Sequence, residues 1–270
     1  MLNISSIKIC ELKEIIKDDN KLDEDMLLAL ADDTRPGVQK IYNKLMNDRN
    51  KKIRELERLK EIHKYEESCC FKGYKLIAGV DEAGRGPLAG PVAAGAVILP
   101  DDIEICGVND SKQLSNKKRK QLAGQIKEAA LCWSIGLATE EEIEKLNIRN
   151  ATHLAMARAV NKLKIKPDIL LVDGFLIPDL EIEQQAIVGG DGKSVSIAAA
   201  SILAKVERDR IMDKYHATYP EYGFDKHKGY GTKQHFEAIM RYGPCPIHRK
   251  DFEPVKSFIA NRNSLFKDWF

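Results

Sequence analysis

The segment Gly79-Val80-Asp81-Glu82-Ala83-Gly84-Arg85-Gly86-Pro87-Leu88-Ala89-Gly90 joins two apolar, strand-length runs, and the fold is built around it. Two adjacent carboxylates end the first run, and a Gly-Arg-Gly turn precedes the second run, residues 91–99. Carboxylates at a strand end can hold a hard divalent cation. Glycines let another backbone approach closely, and arginine recognises phosphate. Together these groups indicate metal-assisted hydrolysis of a nucleic acid backbone.

The bulk composition sets the outer limits of the interpretation. The chain has 270 residues, of which 43% are hydrophobic, enough for one large domain or a domain with an appendage. No run approaches the roughly 20 apolar residues of a membrane span. Charges throughout residues 1–20 argue against a signal peptide. The six cysteines form no CxxC pair, so we expect a cytoplasmic protein without structural zinc.

The composition changes near Lys72. Residues 1–72 are highly charged, and their apolar spacing predicts an N-terminal helical extension with helices over 6–17, 25–31 and 38–65. The third helix is long and basic. Two interpretations stay open for this extension: a packing appendage, or an accessory contact to nucleic acid.

Residues 73–270 have the pattern of an α/β domain built around one sheet. The first three strand-length runs are spaced as in an antiparallel meander, and strands then alternate with helices. The predicted strands are 75–80, 92–99, 131–137, 168–172 and 183–188, and the predicted helices are 148–163, 194–219 and 233–242.

Three further features turn the acids of the opening segment into a candidate metal site. Asp81 closes the first strand and Asp173 the fourth; if these strands are parallel neighbours, both acids emerge at one sheet edge, where ligands bind in open α/β sheets. Asp209 continues the apolar face of the helix that Ser194 caps. Clustered acids raise one another's pKa, and a divalent cation removes that cost. Taken one at a time, Asp81 and Asp173 also fit ordinary turn residues at strand ends, and Asp209 fits an ion pair with Arg208 or Arg210.

The glycines allow a rival interpretation, a dinucleotide-binding turn. The spacing is GxGxxxG rather than GxGxxG, and a strand rather than a helix follows. The two acids also stand where a pyrophosphate needs neutral or basic surroundings. These departures argue against the rival.

The motifs, taken in order, resemble type 2 ribonuclease H, the ribonuclease HII family. The resemblance covers about residues 74–249, and Arg85 in the turn favours type 2 over the related type 3 enzymes. It rests on the stretches 80–92, 109–115, 172–174, 196–209 and 227–232.

This resemblance implies an RNase H-like fold: a five-stranded mixed sheet flanked by helices, with C-terminal helices that help clamp a duplex. It implies an endonuclease that hydrolyses the RNA strand of RNA–DNA hybrids and incises 5′ to single ribonucleotides embedded in duplex DNA. It also implies two Mg²⁺ or Mn²⁺ ions, held by four acids: Asp81, Glu82, Asp173 and Asp209.

By the same resemblance, the turn Gly84-Arg85-Gly86 would read the 2′-hydroxyl at the junction from RNA to DNA, and Tyr230 would stack there. Further candidate phosphate contacts are Ser111, Lys112, Ser201 and Lys205. The alternative functions are a hybrid-binding protein without activity and a 3′–5′ exonuclease. Four converging acids disfavour the first, and the adjacent rather than Asp-x-Glu spacing disfavours the second.

The partners follow from the same argument: RNA–DNA hybrids and duplex DNA containing ribonucleotides, with no membrane. We expect a monomer. The aromatic residues Phe266, Trp269 and Phe270 in the tail fit either binding to a sliding clamp or docking on the protein's own core.

Overall fold

The structure is a computed structural model, and it describes residues 7–16, 24–101 and 115–260. The chain divides into two compact units, Met1–Glu61 and Ile62–Phe270. The sequence-based boundary near residue 72 falls later, after one further helix. None of the described helices has the length and apolar character that crossing a bilayer requires.

The N-terminal unit is helical, as expected. Its helices are α1 (Ile9–Ile15), α2 (Glu24–Asp32) and α3 (Pro36–Ile62). A small buried core joins them, made of Leu12, Met26, Leu30 and Val38. The single helix predicted over 38–65 is therefore too long, because α3 ends at Ile62 and a separate helix, α4 (Lys64–Phe71), follows.

The second unit contains the five-stranded mixed sheet that the sequence predicts. Its order is β3-β2-β1-β4-β5, with β1 antiparallel to β2, β2 antiparallel to β3, and β1, β4 and β5 parallel. The strands are β1 (Ile77–Ala83), β2 (Val92–Ile98), β3 (Cys132–Ala138), β4 (Ile169–Asp173) and β5 (Glu183–Ile187).

Helices α6 (Glu140–Asn161) and α7 (Val195–Thr218) cover opposite faces of this sheet. The other helices that follow α4 are α5 (Asn116–Ala129), α8 (Phe224–His227), α9 (Lys233–Tyr242) and α10 (Val255–Ala260). Ser194 caps α7 as predicted, and Thr139 and Glu142 form a capping box on α6. The predicted helix over 148–163 begins earlier, at Glu140, with a kink at Asn147.

Strand β1 runs further than the sequence predicts, and this places the acids. The predicted strand runs to Val80 with Asp81 closing it, but the pairing of β1 with β2 continues through Glu82 to Ala83. Successive side chains of a strand point to opposite faces. Ala78 and Val80 lie in the core that includes α6, whereas a Cβ at Gly79 would collide with the α7 backbone at Ser196. Asp81, two residues after Gly79, therefore faces α7.

Candidate active site

Three acids meet at one edge of the sheet. One oxygen from each of Asp81, Glu82 and Asp173 lies within 4.8 Å of the others. The geometry follows from strand pairing, because β1 and β4 are parallel neighbours with Val80 opposite Val172, so the next residue of each strand is an aspartate. We call these three residues the acid edge.

The acid edge is electrostatically unfavourable without a cation. Burial, followed by repulsion from Glu82 and Asp173, raises the pKa of Asp81 well above its ordinary value, although a hydrogen bond from Ser201 opposes the shift. Burial also raises the pKa of Glu82, with Arg85 opposing it. Carboxylate oxygens that lie close together repel one another. Such a group of oxygens suits a hard divalent cation as its ligand set.

Backbone amides hold two of these carboxylates in place. The Gly190 amide, in the turn after β5, donates to Asp173 Oδ1 at 2.7 Å. The Glu82 amide donates to Asp81 Oδ1 at 2.6 Å. The orientation of both aspartates is thus set by the backbone before any ligand binds.

Asp209, the fourth acid of the sequence analysis, has a different environment. It is buried on α7 and is not part of the three-acid group. Its carboxylate accepts from Lys205 Nζ at 2.7 Å and lies 3.7 Å from the guanidinium of Arg119. The expected alternative, an ion pair of Asp209 with Arg208 or Arg210, is wrong. Arg208 donates to backbone carbonyls, and Arg210 pairs with Glu207.

The turn from Gly84 to Pro91 is held by two buried arginines that the sequence analysis did not identify. Arg249 donates to the carbonyls of Gly84 (2.6 Å), Arg85 (2.8 Å) and Gly90 (2.7 Å). Arg208 donates to the carbonyls of Ala89 (3.1 Å), Pro91 (3.1 Å) and Lys228 (2.9 Å). Helical spacing puts Arg208 on the same buried face of α7 as Ser201 and Ala204, so the sequence could have indicated that Arg208 is buried. No comparable pattern marks Arg249.

The two glycines of the turn have different surroundings. Gly84 has φ +99°, and a Cβ there would collide with the side chain of Arg208. Gly86 is exposed, and a Cβ there would lie 3.9 Å from the ring of Tyr230. Tyr230 is 44% exposed, with Lys205 and Arg208 each 5.8 Å from its ring centroid. Gly86 and Tyr230 therefore face each other at an accessible surface.

The remaining expected site residues have these positions. Arg85 lies 3.5 Å from Glu82 Oε1 and over the ring of Phe175. Ser201 is buried beneath Asp81, and Lys205 is engaged with Asp209. Ser111 and Lys112, together with the aromatic residues of the tail, lie outside the described residues.

Comparison with known proteins assigns both units. The family described as Ribonuclease HII matches residues 78–255, and its N-terminal domain family matches residues 8–70. A Ribonuclease HII of Pelotomaculum thermopropionicum is 55% identical over 256 residues, which cover 94% of this chain and 96% of that protein.

Solved structures agree with this assignment. The ribonuclease H2 of Pyrococcus horikoshii is 30% identical with a TM-score of 0.59, covering 70% of this chain and 99% of that chain. The RNase HII of Archaeoglobus fulgidus, solved in a complex with PCNA, is 26% identical with a TM-score of 0.57, covering 66% of this chain and 95% of that chain. This chain therefore belongs to the ribonuclease HII family, whose members are metal-dependent endoribonucleases that cleave RNA in RNA–DNA hybrids.

Proposed function

We propose that this protein incises 5′ to single ribonucleotides embedded in duplex DNA, in addition to cutting the RNA strand of hybrids. The observation that carries the proposal is the adjacency of two groups in one segment. The acid edge ends β1, and the Gly84-Arg85-Gly86 turn follows immediately and faces Tyr230. A hydrolytic site thus lies beside a surface that can contact a single sugar.

The residues present fit two divalent ions, Mg²⁺ or Mn²⁺. Asp81, Glu82 and Asp173 would hold them, and Asp209 would contribute after exchanging Lys205 for a cation. When bound, such ions lower the pKa of water and stabilise the charge of a phosphoryl group. This fit rests on the buried carboxylates of Asp81 and Glu82. Their pKa values are raised when no cation is bound, so a cation would stabilise their charged forms.

The turn and Tyr230 supply the selection of substrate. Exposed glycine backbone at Gly86 can approach a 2′-hydroxyl, the group that separates RNA from DNA. The ring of Tyr230 can stack on the adjacent sugar or base. Arg85, whose side chain is partly exposed, can exchange its contact with Glu82 for a phosphate.

Other contacts position the duplex without reading its sequence. In this proposal Ser111, Lys112 and Lys205 form the phosphate-contacting set, and Lys205 would leave Asp209 to reach a phosphate. Ser201, expected as a fourth phosphate contact, is buried and donates to Asp81, so its role is to hold that carboxylate. The basic helix α3 of the N-terminal unit is an accessory contact to nucleic acid. The protein acts as a cytoplasmic monomer in the removal of misincorporated ribonucleotides.

A sliding clamp is a further partner that we propose for the C-terminal tail. The aromatic residues Phe266, Trp269 and Phe270 carry this idea, and the Archaeoglobus protein was solved with PCNA. Binding of a bacterial clamp to the full chain, measured by calorimetry, should disappear when these three residues are replaced by alanine. Unchanged binding would exclude the tail as the contact.

One assay tests the central proposal. Duplex DNA with one ribonucleotide, labelled at the 5′ end of that strand, is incubated with the protein and Mg²⁺ or Mn²⁺. We expect a single product ending just before the ribonucleotide. No incision in either metal would refute the proposal. Binding without any cleavage would favour a silent hybrid-binding protein, and a ladder of products shortened from the 3′ end would favour an exonuclease.

A further inference from the structure

A buried pair of histidines lies behind Tyr230. His235, at the start of α9, and His248, in the segment before α10, are 0% and 2% exposed. His235 Nδ1 is 2.9 Å from the carbonyl oxygen of Tyr230, and the two Nε2 atoms of the pair are 3.0 Å apart. His248 Nδ1 lies 2.9 Å from the amide nitrogen of Cys245, with the Sγ of the same residue at 3.1 Å and its carbonyl oxygen at 3.2 Å.

These contacts determine where the protons are. The Tyr230 carbonyl can only accept, so His235 Nδ1 carries a proton and donates it. His235 Nε2 then has the lone pair and accepts from His248 Nε2–H. His248 Nδ1 is left to accept from the Cys245 amide. Both imidazoles are neutral, and each has one defined tautomer.

A third histidine fixes the backbone on the other side of Tyr230. His227 Nδ1 accepts from the Gly229 amide at 3.2 Å, and its Nε2 donates to the Tyr222 carbonyl at 2.7 Å. The rings of His227 and His235 stack with centroids 4.5 Å apart. The N–H of Gly229, the residue before Tyr230, and the carbonyl of Tyr230 itself are therefore both bound by the same buried stack.

The histidine pair is also continuous with the support of the turn. Arg249 follows His248 directly; its guanidinium binds the carbonyls of Gly84, Arg85 and Gly90, and its amide donates to the Leu88 carbonyl at 2.8 Å. The dipeptide His248-Arg249 thus contacts both sides of the surface where Gly86 faces Tyr230.

We propose that His235 and His248 are positioning residues that set the backbone of Tyr230 against the Gly84-Arg85-Gly86 turn. This proposal rests on the function proposed above for Tyr230. Neither histidine contacts the acid edge, so their effect on the reaction passes through Tyr230. Selection of a single ribonucleotide, rather than the hydrolytic step, is what they control.

The array stays neutral at working pH. Burial lowers the pKa of His235 to about 3 and that of His248 to about 4. The titratable groups that face the pair are His227, Cys245 and Tyr222; burial lowers the pKa of His227 and raises those of the other two. A second proton on His235 would place two N–H donors head to head and break the link.

Nitrogen NMR of the full chain tests the arrangement without any reference to activity. At pH 7 we expect His235 protonated only on Nδ1 and His248 only on Nε2, with no titration of either ring down to about pH 5. The opposite tautomer, or an imidazolium, at either position would overturn the proposal while leaving the proposed function untouched.

Paired substitutions then test the consequence. His235→Asn retains an amide that can donate to the Tyr230 carbonyl, whereas His235→Leu does not. We expect His235→Leu to lower the ratio of kcat/KM for a single-ribonucleotide duplex to that for a continuous hybrid about tenfold, the scale of one lost buried hydrogen bond. The Asn variant should keep most of the ratio.

A double-mutant cycle separates positioning from general damage. In a Tyr230→Ala background, His235→Leu should change the ratio by less than about twofold, because the residue through which it acts is already absent. The same tenfold loss in both backgrounds, or an unchanged ratio in His235→Leu alone, would overturn the proposal. A wild-type protein that fails to cut the single-ribonucleotide duplex would instead refute the proposed function.

Discussion

The acid edge and the turn that follows it are adjacent in sequence, but the protein treats their polar groups in opposite ways. At the acid edge, three carboxylates crowd together, and burial with mutual repulsion raises the pKa of Asp81. In the turn, two buried guanidiniums supply hydrogen bonds to backbone carbonyls from Gly84 to Pro91. The first region requires a cation to reach low energy, whereas the second is complete within the chain.

This difference separates two kinds of sensitivity. A substitution at the acid edge removes a carboxylate that the reaction needs but whose burial destabilises the metal-free fold. Activity should therefore fall, while the stability of the metal-free fold should rise. A change in the support of the turn leaves buried carbonyls without donors, so stability should fall first.

The largest effect is expected for Asp81→Asn. The amide cannot ligate divalent ions as a carboxylate does, and metal-based stabilisation is worth several kcal/mol, so kcat should fall about 1000-fold or more. The measurement is single-turnover cleavage of a hybrid in Mg²⁺ and in Mn²⁺. The exposed Asp213→Asn, on the same sheet-covering helix as Asp209, is the control. Full activity in Asp81→Asn would disprove the metal assignment.

Arg249→Met should give the largest loss of stability. It leaves the carbonyls of Gly84, Arg85 and Gly90 without their buried donor, at about 1–3 kcal/mol for each unsatisfied group, and we expect at least about 3 kcal/mol in total. Urea denaturation followed by circular dichroism measures the loss. Lys250→Met, next along the chain, removes only an exposed pair with Glu144 and should cost less than about 1 kcal/mol. Equal losses in both variants would contradict the support assigned to Arg249.

The sequence predicted the acid edge better than the turn's support, and the reason is physical. Alternation and apolar runs mark strands over a few residues, so the five strands follow from local patterns. The meeting of Asp81 with Asp173 was predicted on the condition that their strands are parallel neighbours, and β1 and β4 are such a pair. Arg249 is 159 residues from the Gly90 carbonyl that it binds. No local pattern marks such a contact, because it exists only when the two segments are already packed.

Asp209 illustrates a further limit. Helical periodicity correctly indicated a buried carboxylate, and its neighbours along the chain suggested Arg208 or Arg210 as partners. The partners are instead Lys205, one turn earlier on the same helix, and Arg119 on α5. Adjacent residues of a helix point in different directions, so sequence neighbours were the wrong place to look for an ion pair.

Arg85→Ala tests the exposed face of the turn rather than its support. The side chain is 42% exposed and its pair with Glu82 is loose, at 3.5 Å, so folded stability should change little. Loss of a phosphate contact should lower kcat/KM on the single-ribonucleotide duplex about tenfold, with a smaller effect on a continuous hybrid. Steady-state kinetics on the two substrates decides this. An unchanged value on the first substrate would remove Arg85 from the selection of substrate.

The acid edge also predicts how stability depends on pH and metal. Because the folded-state pKa of Asp81 is raised above its ordinary value near 3.8, the folded state binds more protons, and metal-free stability should fall as pH rises from about 4 through that raised pKa. Mg²⁺ or Mn²⁺ at pH 7 should restore about 2–4 °C of Tm, the shift for 1 kcal/mol in a domain of this size. Scanning calorimetry tests it, and Asp81→Asn should weaken both dependences, since Glu82, whose pKa burial also raises, and Asp173 remain. A wild-type Tm that does not change when Mg²⁺ or Mn²⁺ is added would contradict the electrostatic repulsion assigned to the acid edge.

The smallest effect is expected for the basic helix of the N-terminal unit. If chemistry and selection belong to the acid edge and the turn, α3 contributes only affinity. Lys40 and Lys44 are exposed on α3, and the double change to Gln should weaken binding to a hybrid about two- to fourfold. Because each phosphate contact contributes about 0.9 to the slope of log K against log salt, that slope should become shallower by up to about 2, with kcat unchanged. Lys164→Gln with Lys166→Gln is the matched control: both are exposed and precede β4, at the end of the sheet away from the acids. Equal slopes in the two double variants would make α3 a packing appendage, because counterion release requires direct contact with phosphate.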